Sequence, residues 1–354
     1  MSSKPTYYHN MDIVRYLLAL AVIVAHTNSI AGYNMPFFIS SFEAVGGFFA
    51  LSGFLMYPNY VRHDNCIGYI GQRARRILPP YIFIVVVAAL FLVVASTLPL
   101  SEYFTSKGFY AYLAANLSFL NWLHPDLPGV FRGLDFHTSA VNASLWTMKI
   151  EWCLYFSVPL FIFLLSRIKH ISPISLAAII IVVSILYRLY FFNLYIQTEK
   201  EIYNILSRQI FGQLSYFYCG MLIYFFKDTF SHHLLLMGAI GIILVFLSRI
   251  LDYGNILLNP FGISMAVMAI SMMPYSIPIL NTRTNISYEM YLFHFPIIQF
   301  GIFLGINTRN IWIEYLYVLG VTILLSFIAH ISIERLMKFW CKNRSVNNRA
   351  SNIS

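Results

Sequence analysis

Long apolar segments recur along almost the whole chain, and they restrict its fold more than any other feature. A helix needs about 20 predominantly apolar residues to cross a bilayer core of about 30 Å. Ten segments approach or meet this length: 12–31, 41–60, 80–99, 144–166, 171–192, 209–227, 232–250, 256–274, 286–304 and 311–333. Because backbone polar groups in lipid must be satisfied internally, such segments form helices. The sequence therefore predicts an all-α, polytopic transmembrane helix bundle of about ten spans.

The composition excludes several other classes of protein. Hydrophobic residues make up 59% of the 354 residues and charged residues 10%, whereas a soluble chain is about 45–50% apolar and about 25% charged. A soluble enzyme, a disordered chain and a nucleic-acid-binding domain are therefore excluded. The four cysteines form no CxxC pair, which indicates neither a disulfide framework nor a metal site. We expect no metal and no nucleic-acid partner, and membrane lipids around the chain.

Basic residues predict the orientation of the bundle. With the N-terminus inside, most Lys and Arg residues between the spans fall in cytoplasmic segments, as the positive-inside rule requires. We expect both termini in the cytoplasm, a membrane domain over residues 1–335 and a short basic, polar tail over 336–354. The first apolar segment lacks the flanks of a cleaved signal peptide, so we expect it to be retained.

One stretch between the spans is harder to interpret. Segment 103–122 is only intermittently apolar, and it is interpreted as a re-entrant piece, an interfacial piece or an additional span. The surrounding stretch 101–143 falls outside in the predicted topology. It is either a structured cover of the bundle or a docking place for a polar acceptor.

Eight ionisable side chains fall inside the predicted spans, where such groups are costly and mark functional sites by default. They are Arg15, His26, Lys149, Glu151, Arg188, Glu289, His294 and His330. At 1.5 Å per residue, His26 lies about 9 Å and Glu151 about 10 Å below the same outer face, so the two could pair if their helices adjoin. His294 lies about 12 Å from the cytoplasmic side, which indicates a second polar level or a packing-level hydrogen bond with Tyr291.

The first helix carries two of these groups on one face. Arg15 precedes His26 by 11 residues, close to three helical turns, which favours a polar track through the bundle. The alternative is that Arg15 reaches lipid head groups and His26 is a satisfied helix-contact residue.

Two further segments have a structural and a functional interpretation. Gly46, Ser52 and Gly53 in the second span favour close approach of another helix over a role in catalysis. In the basic loop 73–79, Arg73 and Arg76 would share a face if helical, and two guanidinium groups can bind phosphate bidentately. The alternative for this loop is contact with lipid phosphates.

Five sequence elements, in one order over residues 12–333, resemble acyltransferase family 3, the integral-membrane O-acyltransferases of bacteria. They are Arg15 with His26; Phe48-Phe49-Ala50-Leu51-Ser52-Gly53-Phe54; Arg73 with Arg76; Trp146-Thr147 with Glu151 and Tyr155; and Ser287-Tyr288, Tyr291-Leu292, His294 and Pro296. Together they are much more specific than any one of them.

The resemblance implies transfer of an acetyl group from cytoplasmic acetyl-CoA, a co-substrate, to a sugar hydroxyl at the outer side of the bacterial inner membrane. The acceptor would be O-antigen, capsule, exopolysaccharide or a lipid-linked precursor. The site residues implied are the catalytic His26 and Glu151, the acyl-CoA-binding Arg73, Arg76 and Arg15, and the supporting Ser52, Trp146, Tyr291 and His294. We expect no fused periplasmic hydrolase-like domain. Direct transfer and a covalent acyl-enzyme both remain open.

Intramembrane Arg, His and Glu also fit two other functions. A transporter or flippase for a lipid-linked sugar would use them along its substrate path, although no inverted repeat is visible in the sequence. A sensor or scaffold without catalysis is the third interpretation. Binding of CoA separates the enzyme from the transporter.

Overall fold

The computed structural model describes residues 8, 10–33, 35, 38–63, 65–132, 139–274, 284–308 and 310–351, with side chains described through residue 338. Its α-helices are α1 (Asn10–Ala31), α2 (Ser41–His63), α3 (Cys66–Phe91), α4 (Leu100–Thr105), α5 (Lys107–Leu117), α6 (Trp146–Arg167), α7 (Pro173–Thr198), α8 (Glu201–Ser207), α9 (Ile210–Phe225), α10 (Lys227–His232), α11 (Leu234–Ile250), α12 (Gly254–Leu257), α13 (Asn259–Ser271), α14 (Ser287–Phe303) and α15 (Ile311–Ser351). Within the described ranges, the one strand-like pairing is an isolated antiparallel bridge between Ser96 and Val130. The all-α class is confirmed.

Every predicted apolar segment coincides with a helix, but five are long and apolar enough to count as membrane spans. They are Asn10–Ala31, Cys66–Ala95, Ala143–Arg167, Pro173–Thr198 and Ile311–Lys338. Helices α11 and α13 are apolar but shorter. Pro260 stands in the first turn of α13, where a missing N–H costs little, so it starts that helix instead of interrupting it. The total of ten spans and the cytoplasmic termini stay predictions.

Helix α3 begins 14 residues before the predicted start at residue 80, so the basic segment 73–79 is helical and the expectation of a loop is wrong. Pro79 and Pro80 lie inside this helix and leave the carbonyls of Arg75 and Arg76 without their usual N–H donors. The side chains of both arginines are exposed. Water at this exposed turn can therefore satisfy the two carbonyls.

Segment 103–122 forms the end of α4, all of α5 and a turn, instead of one long helix. Helix α4 has 6 residues and α5 has 11, so neither reaches the length of a span. Tyr103 Oη donates to the carbonyl of Ala89 at 2.7 Å, and Tyr81 Oη donates to the carbonyl of Asn116 at 2.6 Å. These bonds attach both short helices to α3 as a structured cover. Within stretch 101–143, Asp135 and His137 lie outside the described residues.

The chain folds as two compact units, each built from separated segments. The first unit comprises Met1–Val22, Phe37–Arg73 and Thr147–Asn285, and the second comprises Ile23–Pro36, Ala74–Trp146 and Ile286–Ser354. Residues 336–351, predicted as a polar tail, continue α15.

The first unit is built around close packing of α2 against α9. A Cβ atom added at Gly53 would lie 1.8 Å from the carbonyl oxygen of Phe217, and one at Gly220 would lie 1.9 Å from that of Ala50. The two backbones therefore touch, as small residues at helix interfaces in membranes allow. This confirms the packing interpretation of Gly53.

In the second unit, α14 packs against α15. A Cβ at Gly301 would meet the ring of Tyr317 at 2.8 Å. Almost all of α14 between Ser287 and Ile298 is buried, so its polar side chains need partners inside the protein. The candidate site lies among those partners.

Candidate active site

Two histidines far apart in the sequence meet in the second unit. Nδ1 of His26, on α1, lies 2.8 Å from Nε2 of His294, on α14. The two rings stack at 5.1 Å between centroids, and the ring of Phe295 contacts His26 edge-on at 5.7 Å. His294 is fully buried, whereas His26 is partly exposed. Because one of the two facing nitrogens must donate and the other accept, the hydrogen bond couples the tautomers of the two rings.

The expectation that His294 forms a polar level separate from that of His26 is wrong. Counting residues from the helix starts placed His294 nearer the cytoplasm, yet the two rings are in direct contact. The count fails because it treats helices as untilted and gives each one the same starting depth, whereas transmembrane helices tilt by about 20° on average.

The backbone around His294 is held by the segment that leads into α6. Pro296 has no N–H, so the carbonyl of Leu292 loses its helical partner. Asn142 Nδ2 donates to that carbonyl at 2.8 Å, and Ser144 Oγ donates to Asn142 Oδ1 at 2.5 Å. Asn142 therefore replaces the donor that the Leu292 carbonyl lacks.

Tyr291 lies beside His294, and its hydroxyl bonds the segment that leads into α6. Its ring centroid is 5.7 Å from that of His294, and its hydroxyl donates to the carbonyl of Ser144 at 3.2 Å. A supporting role by packing is therefore available to Tyr291, in addition to its hydroxyl contact with the Asn142–Ser144 segment.

Two further polar pairs of the second unit involve α15. Glu289 Oε1 lies 2.8 Å from Nδ1 of His330, which joins two of the eight intramembrane ionisable groups. Tyr33 Oη donates to Glu314, a fully buried carboxylate that we did not predict as a site residue. Each contact gives one oxygen of a buried carboxylate a hydrogen-bond partner.

Glu151 and Arg15 belong to the first unit. Tyr155 Oη donates to Glu151 Oε1, as expected for two residues four apart on one helix face. Arg15 Nη1 lies 2.8 Å from Oδ1 of Asp12, and Asn285 Nδ2 donates to the same oxygen at 2.8 Å. The pairing of Glu151 with His26 stays a prediction.

The remaining predicted site residues lie on α2, α3 and α6. Arg73 is buried, and its Nη2 donates to Gln72 Oε1 at 2.7 Å, whereas Arg76 is exposed. Ser52 on α2 and Trp146 at the first position of α6 are each partly buried. The helical setting of Arg73 and Arg76 gives them the one-turn spacing that we assumed for phosphate binding.

The prediction from sequence missed several polar residues that hold these elements in place. For some of them, the spacing in the sequence predicts the contact. Asp12 stands three residues before Arg15, which is the spacing of a helical ion pair. Ser40 and Glu43 form a capping box: Ser40 N donates to Glu43 Oε2 at 2.7 Å, and Glu43 N donates to Ser40 Oγ at 3.2 Å. Asn142 has no comparable signal, because its partner lies 150 residues away.

The chemistry available in the second unit is proton transfer through imidazole. Among the residues that the structure describes, no group of three or more His, Cys, Asp or Glu side chains could hold a metal ion. An imidazole whose second nitrogen is fixed by a hydrogen bond is the usual form of a general base in proteins.

Comparison with known proteins identifies the family. A model described as an acyltransferase domain matches residues 8–331. The chain belongs to acyltransferase family 3. It is therefore an acyltransferase by family, with membrane-spanning helices.

Two curated proteins are similar to parts of this family member. One is an O-acetyl transferase of Shigella phage Sf6, 25% identical over 149 residues, which are 41% of this chain and 43% of that protein. The other is Nodulation protein 10 of Rhizobium leguminosarum bv. viciae, 24% identical over 179 residues, which are 48% of each chain. The matched region thus spans less than half the length of either relative. No solved structure matches the chain.

Proposed function

We propose that this member of acyltransferase family 3 moves an acetyl group from cytoplasmic acetyl-CoA to a sugar hydroxyl of a surface glycan, at the outer side of the bacterial inner membrane. Family membership and the similarity to an O-acetyl transferase support acyl transfer to oxygen. The hydrogen bond between His26 and His294 carries the proposal. A hydroxyl has a high pKa, so its attack on a thioester needs a positioned base.

The tautomer of the histidine pair decides which nitrogen is the base. When His26 Nδ1–H donates to His294 Nε2, His26 Nε2 carries no proton and can take one from the sugar hydroxyl. The hydroxyl oxygen attacks the thioester carbonyl carbon, the C–O bond forms and the C–S bond breaks. The proton on His26 then passes to the CoA sulfur. His294 accepts the Nδ1–H bond throughout and stabilises the imidazolium.

Arginines are expected to bind the phosphates of acetyl-CoA, the acyl donor. Arg73 and Arg76 stand one turn apart on α3, and guanidinium groups bind phosphate oxygens bidentately. Arg15, with its charge balanced by Asp12, is the third acyl-CoA-binding residue of this proposal. Glu151, held by Tyr155, is the second catalytic group of this proposal.

The test is mass spectrometry of surface polysaccharide from cells with the chain, without it, and with the His26→Ala variant. We expect one added acetyl mass per modified repeat unit, lost in His26→Ala. His232→Ala is the matched control, because His232 is exposed and bonds only within α10, to the carbonyl of Asp228, among the described residues. It should leave the modification unchanged.

Two outcomes would overturn the proposal. Acetylation retained in membranes that contain His26→Ala would remove His26 as the base. Purified protein that binds no CoA but moves a lipid-linked sugar across vesicles would show a transporter instead of a transferase.

A further inference from the structure

The first unit contains a polar cavity that the proposed reaction does not use. Its volume is about 280 Å³, and residues from the start of α2, the middle of α7, α8, the end of α11 and α12 line it. Small-molecule sites in proteins range from about 300 to 1,000 Å³. The cavity therefore has room for one charged group with part of a sugar ring, and not for an oligosaccharide.

Three arginines and one carboxylate line this cavity: Arg188, Arg208, Arg249 and Glu43. Glu43 neutralises Arg249 through two hydrogen bonds, with Arg249 Nε at 3.1 Å from Oε1 and Nη2 at 2.8 Å from Oε2. Within the described part of the chain, neither Arg188 nor Arg208 lies within 4.0 Å of a carboxylate oxygen. The lining thus keeps two positive charges that no ion pair balances.

Arg188 is the decisive residue, because it is only 5% exposed. Its Nη2 donates to the carbonyl of Asn255 at 3.2 Å, while its buried Nη1 has no hydrogen-bond partner among the residues described. A buried guanidinium with an unused donor is expensive in a native protein and indicates a missing partner. The partner that fits a guanidinium donor is an oxyanion.

The aromatic side chains of the cavity hold the two free arginines together. The ring of Phe42 lies 5.3 Å from Cζ of Arg188 and 5.7 Å from Cζ of Arg208. These cation–π contacts fix both guanidinium groups before any ligand arrives. Phe192 and Tyr253 add further aromatic surface to the lining, which suits the apolar face of a sugar ring.

We propose that this cavity binds an oxyanion, phosphate or carboxylate, carried by the glycan acceptor, an assignment that rests on the proposed function. In the topology predicted from the sequence, Arg208 and Arg249 lie on the outer side, where that acceptor would be presented. A neutral sugar would leave two unbalanced guanidinium groups, whereas an anionic one supplies their charge and the missing hydrogen bond of Arg188. The cavity would therefore select negatively charged acceptors.

Binding is tested first, on the purified full chain in phosphatidylcholine nanodiscs at constant ionic strength. Inorganic phosphate, glucuronate and glucose are titrated by calorimetry. We expect phosphate or glucuronate to bind and glucose to bind at least about tenfold more weakly, since a missing charge partner exceeds 1.4 kcal/mol. Binding of glucose as tight as that of both anions would overturn the proposal.

Variants locate the site. Arg188→Gln should weaken anion binding about tenfold or more, and Arg208→Gln should do the same at an exposed position that tolerates substitution. Arg62→Gln, on the exposed end of α2, is the control and should have no effect. Unchanged anion affinity in Arg208→Gln, together with unchanged affinity in a folded Arg188→Gln, would overturn the assignment.

Two further experiments distinguish a lipid head group from the glycan acceptor as the source of the anion. In phosphatidylglycerol nanodiscs, loss of phosphate binding would assign the cavity to lipid head groups and overturn the glycan. In the transfer assay, Arg208→Gln should raise KM for an anionic acceptor and leave KM for acetyl-CoA unchanged. If the wild type transfers no acetyl group, the proposed function fails, and anion binding lost in Arg208→Gln would still establish the anion site without its glycan.

Discussion

One buried polar cluster in each unit shows two different arrangements. In the second unit, His26 and His294 share one hydrogen bond between two imidazoles, an arrangement that can pass a proton without any permanent charge. In the first unit, Glu43 is fixed in an ion pair with Arg249, and Arg188 keeps a buried donor without a partner. The first arrangement suits proton transfer, and the second suits recognition of an anion. A polar residue in an apolar chain is therefore informative only together with its partner.

The largest expected effect comes from removing the ion pair between Glu43 and Arg249 in the first unit. Glu43→Ala removes the ion pair with Arg249, the acceptor of Asn259 Nδ2 at 3.1 Å and half of the capping box with Ser40. We expect the free energy of unfolding to fall by about 3 kcal/mol, the low end for a broken buried pair because the Arg249 side chain is 41% exposed. Chemical denaturation in mixed micelles measures this.

Controls for this variant separate charge from hydrogen bonding. Glu43→Gln removes the charge but keeps one acceptor oxygen, for either Ser40 N or Asn259 Nδ2. It should therefore lose less stability than Glu43→Ala. Glu102→Ala, at an exposed position of α4, should change stability by less than about 0.5 kcal/mol. A loss below about 1 kcal/mol in Glu43→Ala would show that the ion pair is not an anchor of the first unit.

The second prediction tests the hydrogen bond between His26 and His294 in the second unit. His294→Ala removes the acceptor of the His26 Nδ1–H bond, so His26 loses its fixed tautomer. We expect kcat to fall about 10²-fold, at the low end for acid–base catalysis, with KM for acetyl-CoA unchanged. His294→Gln, whose Oε1 can accept the same bond, should recover part of the loss.

His330→Ala is the matched control, since His330 is another partly buried histidine of the second unit and bonds Glu289. It should reduce stability and leave kcat per folded molecule within about twofold. Equal losses of kcat in the two histidine variants would show that His294 acts only through packing.

The sequence predicted the positions of the helices well because apolar length determines them. The prediction from sequence was wrong where a local pattern indicated a different structure. Pro79-Pro80 and the arginines before it indicated a loop that ends before the third span, but the carbonyls left without donors stand on an exposed turn, so α3 continues through them.

The residues of the candidate site could be predicted from the sequence by their type, but most contacts between them could not. His26 and His294 were both recognised as costly groups inside spans, yet their contact joins residues 268 apart, and depth counting separated them. The Asp12 partner of Arg15 and the capping box at Glu43 were readable from i,i+3 spacing. Arg188 was recognised as ionisable, but only the fold shows that three arginines converge on one cavity.

The third prediction compares helix packing in the two units. Gly53→Ala in the first unit drives a methyl group to 1.8 Å from the Phe217 carbonyl oxygen, a backbone atom that cannot move alone. Gly301→Ala in the second unit meets the side-chain ring of Tyr317 at 2.8 Å, which can rotate away. We expect losses of about 1–3 kcal/mol for Gly53→Ala and under about 1 kcal/mol for Gly301→Ala.

Gly71→Ala is the control for both variants, because nothing lies within 4 Å of its added Cβ. In this open space beside α3, the substitution should raise the free energy of unfolding by about 0.5–1 kcal/mol, since Ala favours helix more than Gly. Equal destabilisation by Gly53→Ala and Gly301→Ala would show that the backbones of α2 and α9 separate as readily as a ring rotates.

The smallest expected effect concerns the backbone that carries His294. Asn142→Ala leaves the buried carbonyl of Leu292 without a donor and should cost about 1–2 kcal/mol in the free energy of unfolding. Pro296→Ala restores an N–H four residues after Leu292, which can bond the same carbonyl within α14. In the double variant the cost of Asn142→Ala should therefore shrink by at least about 0.5 kcal/mol, as a double-mutant cycle measures. Additive losses would mean that Asn142 stabilises the second unit through Ser144 and not by replacing the donor that Pro296 lacks.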